Sequence, residues 1–115
     1  MAEPRVKARL WVDMALRLGQ SDGRYGVIVR KGDDDSGGVL VVLRGRQDNA
    51  ECFWVLSQIR DRDGQAAWMR ATGPAAVDQI TADAYVARQV KFDPDLWVLE
   101  FESPDGLPPF DGRLV

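Results

Sequence analysis

Carboxylates are the first side chains in this sequence that could do chemistry. Asp33, Asp34 and Asp35 stand in a row within VRKGDDDSGGVLVVL, residues 29–43, and Asp93 and Asp95 flank Pro94 within RQVKFDPDLWV, residues 88–98. Grouped carboxylates offer hard oxygen ligands to divalent cations, and two of them in different surroundings can divide acid and base roles. A magnesium site or an acid–base pair built from both segments requires that they converge in space. The known loop templates do not fit. A glycine-rich phosphate loop ends in a lysine aimed at the phosphates, whereas Lys31 precedes the glycines here and aspartates fill the loop. A helix-flanked calcium loop needs spaced ligands and a closing glutamate, whereas DDDSGG sets its carboxylates side by side between strands. The local expectation is therefore a hairpin connection in which Asp and Ser side chains bond their own backbone and Gly37 or Gly38 takes a positive φ. The same holds for the second segment: Asp93 ahead of a proline initiates a turn, and Asp95 can accept backbone N–H groups before the next strand.

Aromatic and arginine side chains form the other candidate. Trp68 and Arg70 share one face of the segment AAWMRAT, near Phe53, Trp54, Arg44, Arg60 and Arg62 in the preceding segments. Aromatics beside arginines on an open sheet can stack single-stranded bases. Against nucleic acid stand the net charge of −3, the pI of about 4.9 and the aspartates that alternate with arginines in RDRD. Core packing or a protein interface, where Trp and Arg are enriched, is the favoured use of these residues.

Histidine is absent and Cys52 is the single cysteine, so Cys/His zinc spacings, Ser-His-Asp machinery and an internal disulfide are all excluded. An enzyme of this composition would work with carboxylates, Arg, Lys, Tyr, Ser or Cys52. Cys52 itself falls in a predicted strand and reads as a small buried hydrophobe. No cofactor is implied. With 115 residues, of which 45% are hydrophobic, the chain fits one domain with one core, residues 1–4 and 103–115 being extended tails. No apolar run is long enough to span a bilayer and the first residues lack a secretory pattern, so the expected address is the cytoplasm.

The elements that must position these residues follow from periodicity. PRVKARLWVDMALRL, residues 4–18, predicts a helix with Pro4 at its first position, a stripe of Val6, Leu10, Trp11, Met14 and Leu18, and Gly19 just past its end. Four short segments of period two follow, at residues 24–30, 38–44, 51–59 and 66–72, with connections too short for crossover helices. Val39–Leu43 is apolar throughout, as in a central strand covered on both faces. Thr81 is the expected N-cap of a second helix, with Asp83 in its first turn, Ala82, Val86 and Val90 as its stripe with Tyr85, and an end near residue 91 or 92. LWVLEFE, residues 96–102, alternates cleanly as a last strand, whose place in the sheet the sequence leaves open. The proline-bearing tail after it packs over the surface or frays. The predicted fold is α+β, a two-layer sandwich of order αββββαβ with both helices against one face of an antiparallel sheet of about five strands.

LWVDMALR, VIVRKGDDDSGGVLVVL, WMRATGP and ADAYVARQVKFDPDLWVLEFE, followed by Asp105-Gly106, together resemble a small bacterial family known as domain of unknown function number fourteen ninety-one. The resemblance covers nearly the whole chain. Its most specific block is ARQVKFDPDLWVLEFE, residues 87–102. The family carries no assigned activity, cofactor or catalytic residue; the resemblance implies a bacterial domain of this size, with the Asp33 loop and the Asp93–Asp95 turn as recurring polar features. The functional expectation is a non-catalytic binding or protein-interaction domain with an unknown protein partner, or a homodimer through a sheet edge or the Trp-bearing face. The alternatives are a carboxylate-dependent or metal-binding domain and a single-strand nucleic-acid binder.

Overall fold

The computed structural model describes residues 7–115, so the expectations for Pro4, Val6 and the first four residues lie outside the described residues. The elements are α1 (Ala8–Ser21), β1 (Gly26–Arg30), β2 (Val39–Gln47), β3 (Ala50–Arg60), β4 (Ala66–Arg70), α2 (Gln79–Phe92) and β5 (Trp97–Glu102). The class is α+β and the order is the predicted αββββαβ. The sheet runs β1-β5-β2-β3-β4. β2, β3 and β4 form an antiparallel meander, and the β2–β3 turn at Asp48 and Asn49 has φ of 54° and 64°, as a two-residue hairpin loop demands.

The sheet is mostly antiparallel but contains one parallel pair. β5 lies between β1 and β2, antiparallel to the first and parallel to the second. Residues 31–38 are consequently not a hairpin turn; they cross the start of β5 to reach β2. β5 is central: Trp97, Leu99 and Phe101 are fully buried on one face, and on the other Leu96 and Val98 are buried at its start while Glu100 is half-buried and Glu102 exposed.

The helices differ from expectation in lying on opposite faces. Val39, Val41, Leu43, Trp97, Leu99 and Phe101 pack with Ala8, Val12 and Ala15 of α1, while Leu40, Val42, Phe53, Val55 and Val98 pack with Ala82 of α2 and the half-buried Tyr85, Val86 and Val90. Helix, sheet and helix make three layers. The all-apolar Val39–Leu43 segment requires this, since each of its faces needs a cover.

α1 also turns a different side inward from the one its large residues suggested. Ala8, Val12, Ala15 and Gly19 face the sheet and Trp11, of the expected stripe, packs half-buried against the core, while Leu10, Met14 and Leu18 are exposed. Close approach decides the matter. Gly19 is inside the helix rather than past its end, and a Cβ there would lie 2.5 Å from the Arg24 carbonyl oxygen and 2.9 Å from the Phe101 ring. Gly23, at φ 71°, is the left-handed residue that leaves the helix. α2 begins earlier than expected: Asp78, not Thr81, is its N-cap, and its carboxylate accepts the Thr81 N–H at 2.8 Å. Asp83 then falls beyond the first turn. The stripe of Ala82, Val86 and Val90 is as predicted.

The tail packs rather than frays. Phe110 is buried with its ring 5.0 Å from Trp11 and 5.1 Å from Trp68. Beyond it Trp68 N–H donates to the Arg113 carbonyl at 2.8 Å and Val115 N–H donates to the Trp68 carbonyl at 2.9 Å, so the tail covers the middle of the β4 edge. Cys52 is buried and unpaired, as its strand position suggested.

Candidate functional site

The two acidic segments do converge, and they meet backbone to backbone. Asp33 N–H donates to the Asp95 carbonyl at 2.9 Å, and the indole N–H of Trp97 donates to the Asp33 carbonyl at 2.7 Å. A Cβ on Gly32 or on Gly37 would overlap the Asp95 carbonyl oxygen, which is why the crossing loop carries glycine on both sides of its aspartates. The Asp33 carboxylate turns back into its own loop, where Oδ2 accepts the Ser36 N–H at 2.9 Å, the Ser36 hydroxyl at 3.0 Å and the Asp35 N–H at 3.1 Å. Those donors, Ser36 first, hold the Asp33 carboxyl below the usual carboxylate range. Asp93 does the same for its turn, accepting the Asp95 N–H at 3.1 Å.

The start of α1 seats on this junction. Arg9 N–H donates to the Asp34 carbonyl at 2.9 Å and Ala8 N–H to the Asp35 carbonyl at 3.4 Å, so loop carbonyls take up N–H groups that a helix start leaves unpaired. Asp34 lies 3.9 Å from Arg9 and 3.8 Å from Lys31, and Asp35 lies 3.5 Å from Lys7. Negative charge at a helix N-terminus is favourable in itself. Among the described residues no three His, Cys, Asp or Glu side chains gather into a group that could hold a metal ion.

Trp68 and Arg70 share a strand face, and that face is covered. The Trp68 ring is 3% exposed, 5.4 Å from Trp11 and 5.1 Å from Phe110, and so presents no open plane to a base. Arg70 donates from Nη2 to the Gly106 carbonyl at 2.9 Å. Its Nη1 and the Thr72 hydroxyl are buried without a hydrogen-bond partner.

Two polar arrangements escaped the sequence reading. Arg24 grips Asp105 with Nη1 at 2.6 Å and Nη2 at 2.9 Å, and its Nε donates to Asp22 at 2.8 Å. The hydrogen bond from Arg24 holds the Asp105 carboxyl well below the usual range, against the opposing effect of burial. Beside this knot an open cleft of about 540 Å³ is lined by Arg44, Arg46, Glu51, Glu102, Ser103 and Pro104 among others. Its charges are matched across strands: Arg44 is opposite Glu102, at 3.6 Å, and Arg46 is opposite Glu51. Residues 24 and 105 are too far apart in sequence for spacing to have revealed the pair.

The remaining feature is the outer edge of β1. Tyr25 carbonyl accepts the Glu102 N–H at 3.0 Å, which fixes the alternation: Tyr25 and Val27 turn their backbone groups toward β5, and Gly26 and Ile28 turn theirs outward. No described strand pairs with that side. Its side chains are apolar and open, with Tyr25, Val27 and Val29 each close to 60% exposed (59%, 58% and 58%) and Ile28 at 41%. Val27 lies opposite Glu100 on the α2 face, beyond the reach of α2, while Ile28 lies opposite Leu99 on the α1 face. Nothing in RYGVIVR distinguished an edge from an interior strand.

A three-layer α+β domain with a mixed five-stranded sheet, its acidic turns committed to joining loops, is the class that fold and polar geometry define. The chain belongs to the family described as Protein of unknown function (DUF1491), whose model matches residues 6–111. A crystal structure of a DUF1491 family protein from Caulobacter crescentus is similar to it at 28% identity and a TM-score of 0.85, over 96% of this chain and 100% of that one. An NMR structure of a DUF1491 family protein from the same organism gives 27% identity and a TM-score of 0.82, over 98% and 99%. A solution structure of a protein from A. tumefaciens, at 23% identity and a TM-score of 0.70 over 96% of this chain and 98% of that one, shares the fold. Among curated proteins there is no match. No helix among the described residues is long and apolar enough to cross a membrane.

Proposed function

We propose that this protein is a non-catalytic interaction domain that binds a polypeptide strand along the outer edge of β1. The observation that carries the proposal is the combination at Tyr25–Val29: outward backbone N–H and C=O groups at Gly26 and Ile28, flanked by apolar side chains that nothing covers. Strand addition uses these two elements, main-chain hydrogen bonds for affinity and alternate side chains for selectivity. Natural sheets blunt an unused edge with lysine, proline or inward charge, and between Tyr25 and Val29 there is none of these. The bulge between Ile28 and Arg30 limits the docking segment to about five residues.

A photo-crosslinking residue placed at Val27 in the living bacterium tests this, with the outward-facing Asp83 of α2 as the control position. Polypeptide adducts at 27 and none at 83 are expected. Absence of any polypeptide adduct at 27 refutes the edge as a binding site.

A further inference from the structure

Resting on the edge reading above, we infer that the strand received by β1 is β1 of a second copy of this chain, paired antiparallel about a two-fold axis at Val27.

Self-complementarity selects this occupant. In an antiparallel pair centred on Val27, Gly26 is opposite the partner's Ile28 and Ile28 opposite the partner's Gly26, so the outward N–H and C=O groups of each copy meet those of the other in four hydrogen bonds. Centring on Ile28 draws Arg30, beyond the bulge, into the ladder, and centring on Gly26 sets Ile28 across from the partner's Arg24, whose N–H is already bonded to the Gly19 carbonyl at 2.8 Å, so either choice loses some of these bonds. Val27 then faces the partner's Val27 in a pair without mutual hydrogen bonds, where side chains approach most closely, and Tyr25 and Val29 continue the apolar row on that face. On the α1 face the partner's Ile28 lies beside Gly26. The Phe101 ring already occupies the side-chain space of that glycine, since a Cβ there would overlap it.

Charge complementarity supports the same register. Asp22, Arg24 and Asp105 form a knot with one negative charge in excess. Just past the end of the ladder, beyond the bulge, this register brings the partner's Arg30 toward Arg24 and its knot. Arg30 donates to the Pro94 and Leu96 carbonyls at 2.7 Å and 2.9 Å, and among the described residues no carboxylate lies within ion-pair distance of it. Each copy thus brings an uncompensated cation to the other's net-negative knot. The middle of the opposite edge is covered by the tail at Trp68, so pairing through β1 closes after two copies instead of extending into a fibre.

Light scattering on size-exclusion fractions of the full chain, loaded from about 1 μM to about 1 mM, reads the association. Wild type is expected to dimerise. Val27→Lys and Val27→Glu, both at an exposed position and checked for folding by circular dichroism, are each expected to weaken dimerisation about 100-fold or more, because like charges meet at the axis. An equimolar mixture of the two variants is expected to restore the dimer. A wild type that remains monomeric, a dimer indifferent to either charge, or a mixture that stays monomeric each overturns the inference. The edge reading fails separately: a monomer whose residue 27 still crosslinks to a different polypeptide refutes self-pairing alone, while a residue 27 with no polypeptide adduct refutes both.

Discussion

Replacing Gly32 with alanine tests whether the acidic loop is a packing junction. The added Cβ would overlap the Asp95 carbonyl oxygen and lie 2.6 Å from the Trp97 ring and 2.7 Å from the Trp97 nitrogen. Two of these neighbours are backbone, so the crossing loop must lift away from the start of β5. Lifting breaks the Asp33 N–H bond to Asp95 and the Trp97 indole bond to Asp33, at about 1 kcal/mol net for each. It also uncovers part of Trp97, which is fully buried. A tryptophan buries roughly 200 Å², and re-exposing about a third of that costs about 1.5–2 kcal/mol at about 25 cal/mol per Å². The sum is about 3–4 kcal/mol. At a urea m-value of about 1.5 kcal/mol per M, the unfolding midpoint falls by about 2 M. Gly64→Ala is the control: its φ is 78° and no atom lies within 4 Å of the added Cβ, so only left-handed strain of about 1–2 kcal/mol is paid. Tryptophan fluorescence in a urea series measures both variants. If Gly32→Ala lowers the midpoint no further than Gly64→Ala, the two turns are not tightly joined and the loop glycines have some other purpose.

Three further outcomes follow from the same contacts. Asp33, Asp78 and Asp105 all have lowered carboxyl pKa values, so each contributes stability that is complete above the unfolded value of about 3.9 and is lost as pH falls below it toward the folded values; urea midpoints between about pH 5 and pH 2 should fall, and less steeply in Asp105→Asn. Phe110→Ala, which removes the ring between Trp11 and Trp68, should cost about 3–5 kcal/mol in denaturant unfolding; a loss below about 1 kcal/mol would show that the tail does not belong to the core. Deleting residues 112–115 bares the β4 edge at Trp68, and light scattering should then report assemblies larger than a dimer; an unchanged mass would show that the tail is not what protects that edge.

Much of the fold was legible because it is written in local periods. The two faces of LWVLEFE, the apolar stripe of α2 and the double cover over Val39–Leu43 all follow from side-chain alternation or helical spacing. The misread features depend on distances between remote segments. Of the large residues that spacing puts in the α1 stripe, Trp11 reaches the core but Leu10, Met14 and Leu18 do not, and Gly19 and the two alanines are inward because the helix approaches Phe101 so closely. A propensity argument sees Leu10 and Met14 as better core residues and has no access to that gap. The crossing loop resembled a hairpin because Asp, Ser and Gly suit either role, and only the pairing of Val39 with Trp97 shows that β5 intervenes. For the candidate residues, sequence identified where Asp33–Asp35 and Asp93–Asp95 sit in turns, but the hydrogen bond between the turns joins residues 33 and 95 and has no local signature.

The topology connects the two candidate regions. Inserting β5 between β1 and β2 forces the β1–β2 connection to cross over the start of β5, and that crossing calls for glycines where backbones nearly touch and for short polar side chains that complete the turns. Asp33 and Asp93 meet this need with their carboxylates, one oxygen of each accepting N–H groups of its own loop. The same insertion leaves β1 paired with β5 alone at the rim of the sheet, with Gly26 and Ile28 directed outward. One topological event thus withdraws the most conspicuous side-chain chemistry into structure and places unpaired backbone at the surface. For such a molecule, recognition through main-chain groups follows from the way β5 is threaded, and a variant that altered only the carboxylates of the acidic loop should leave pairing at Val27 intact.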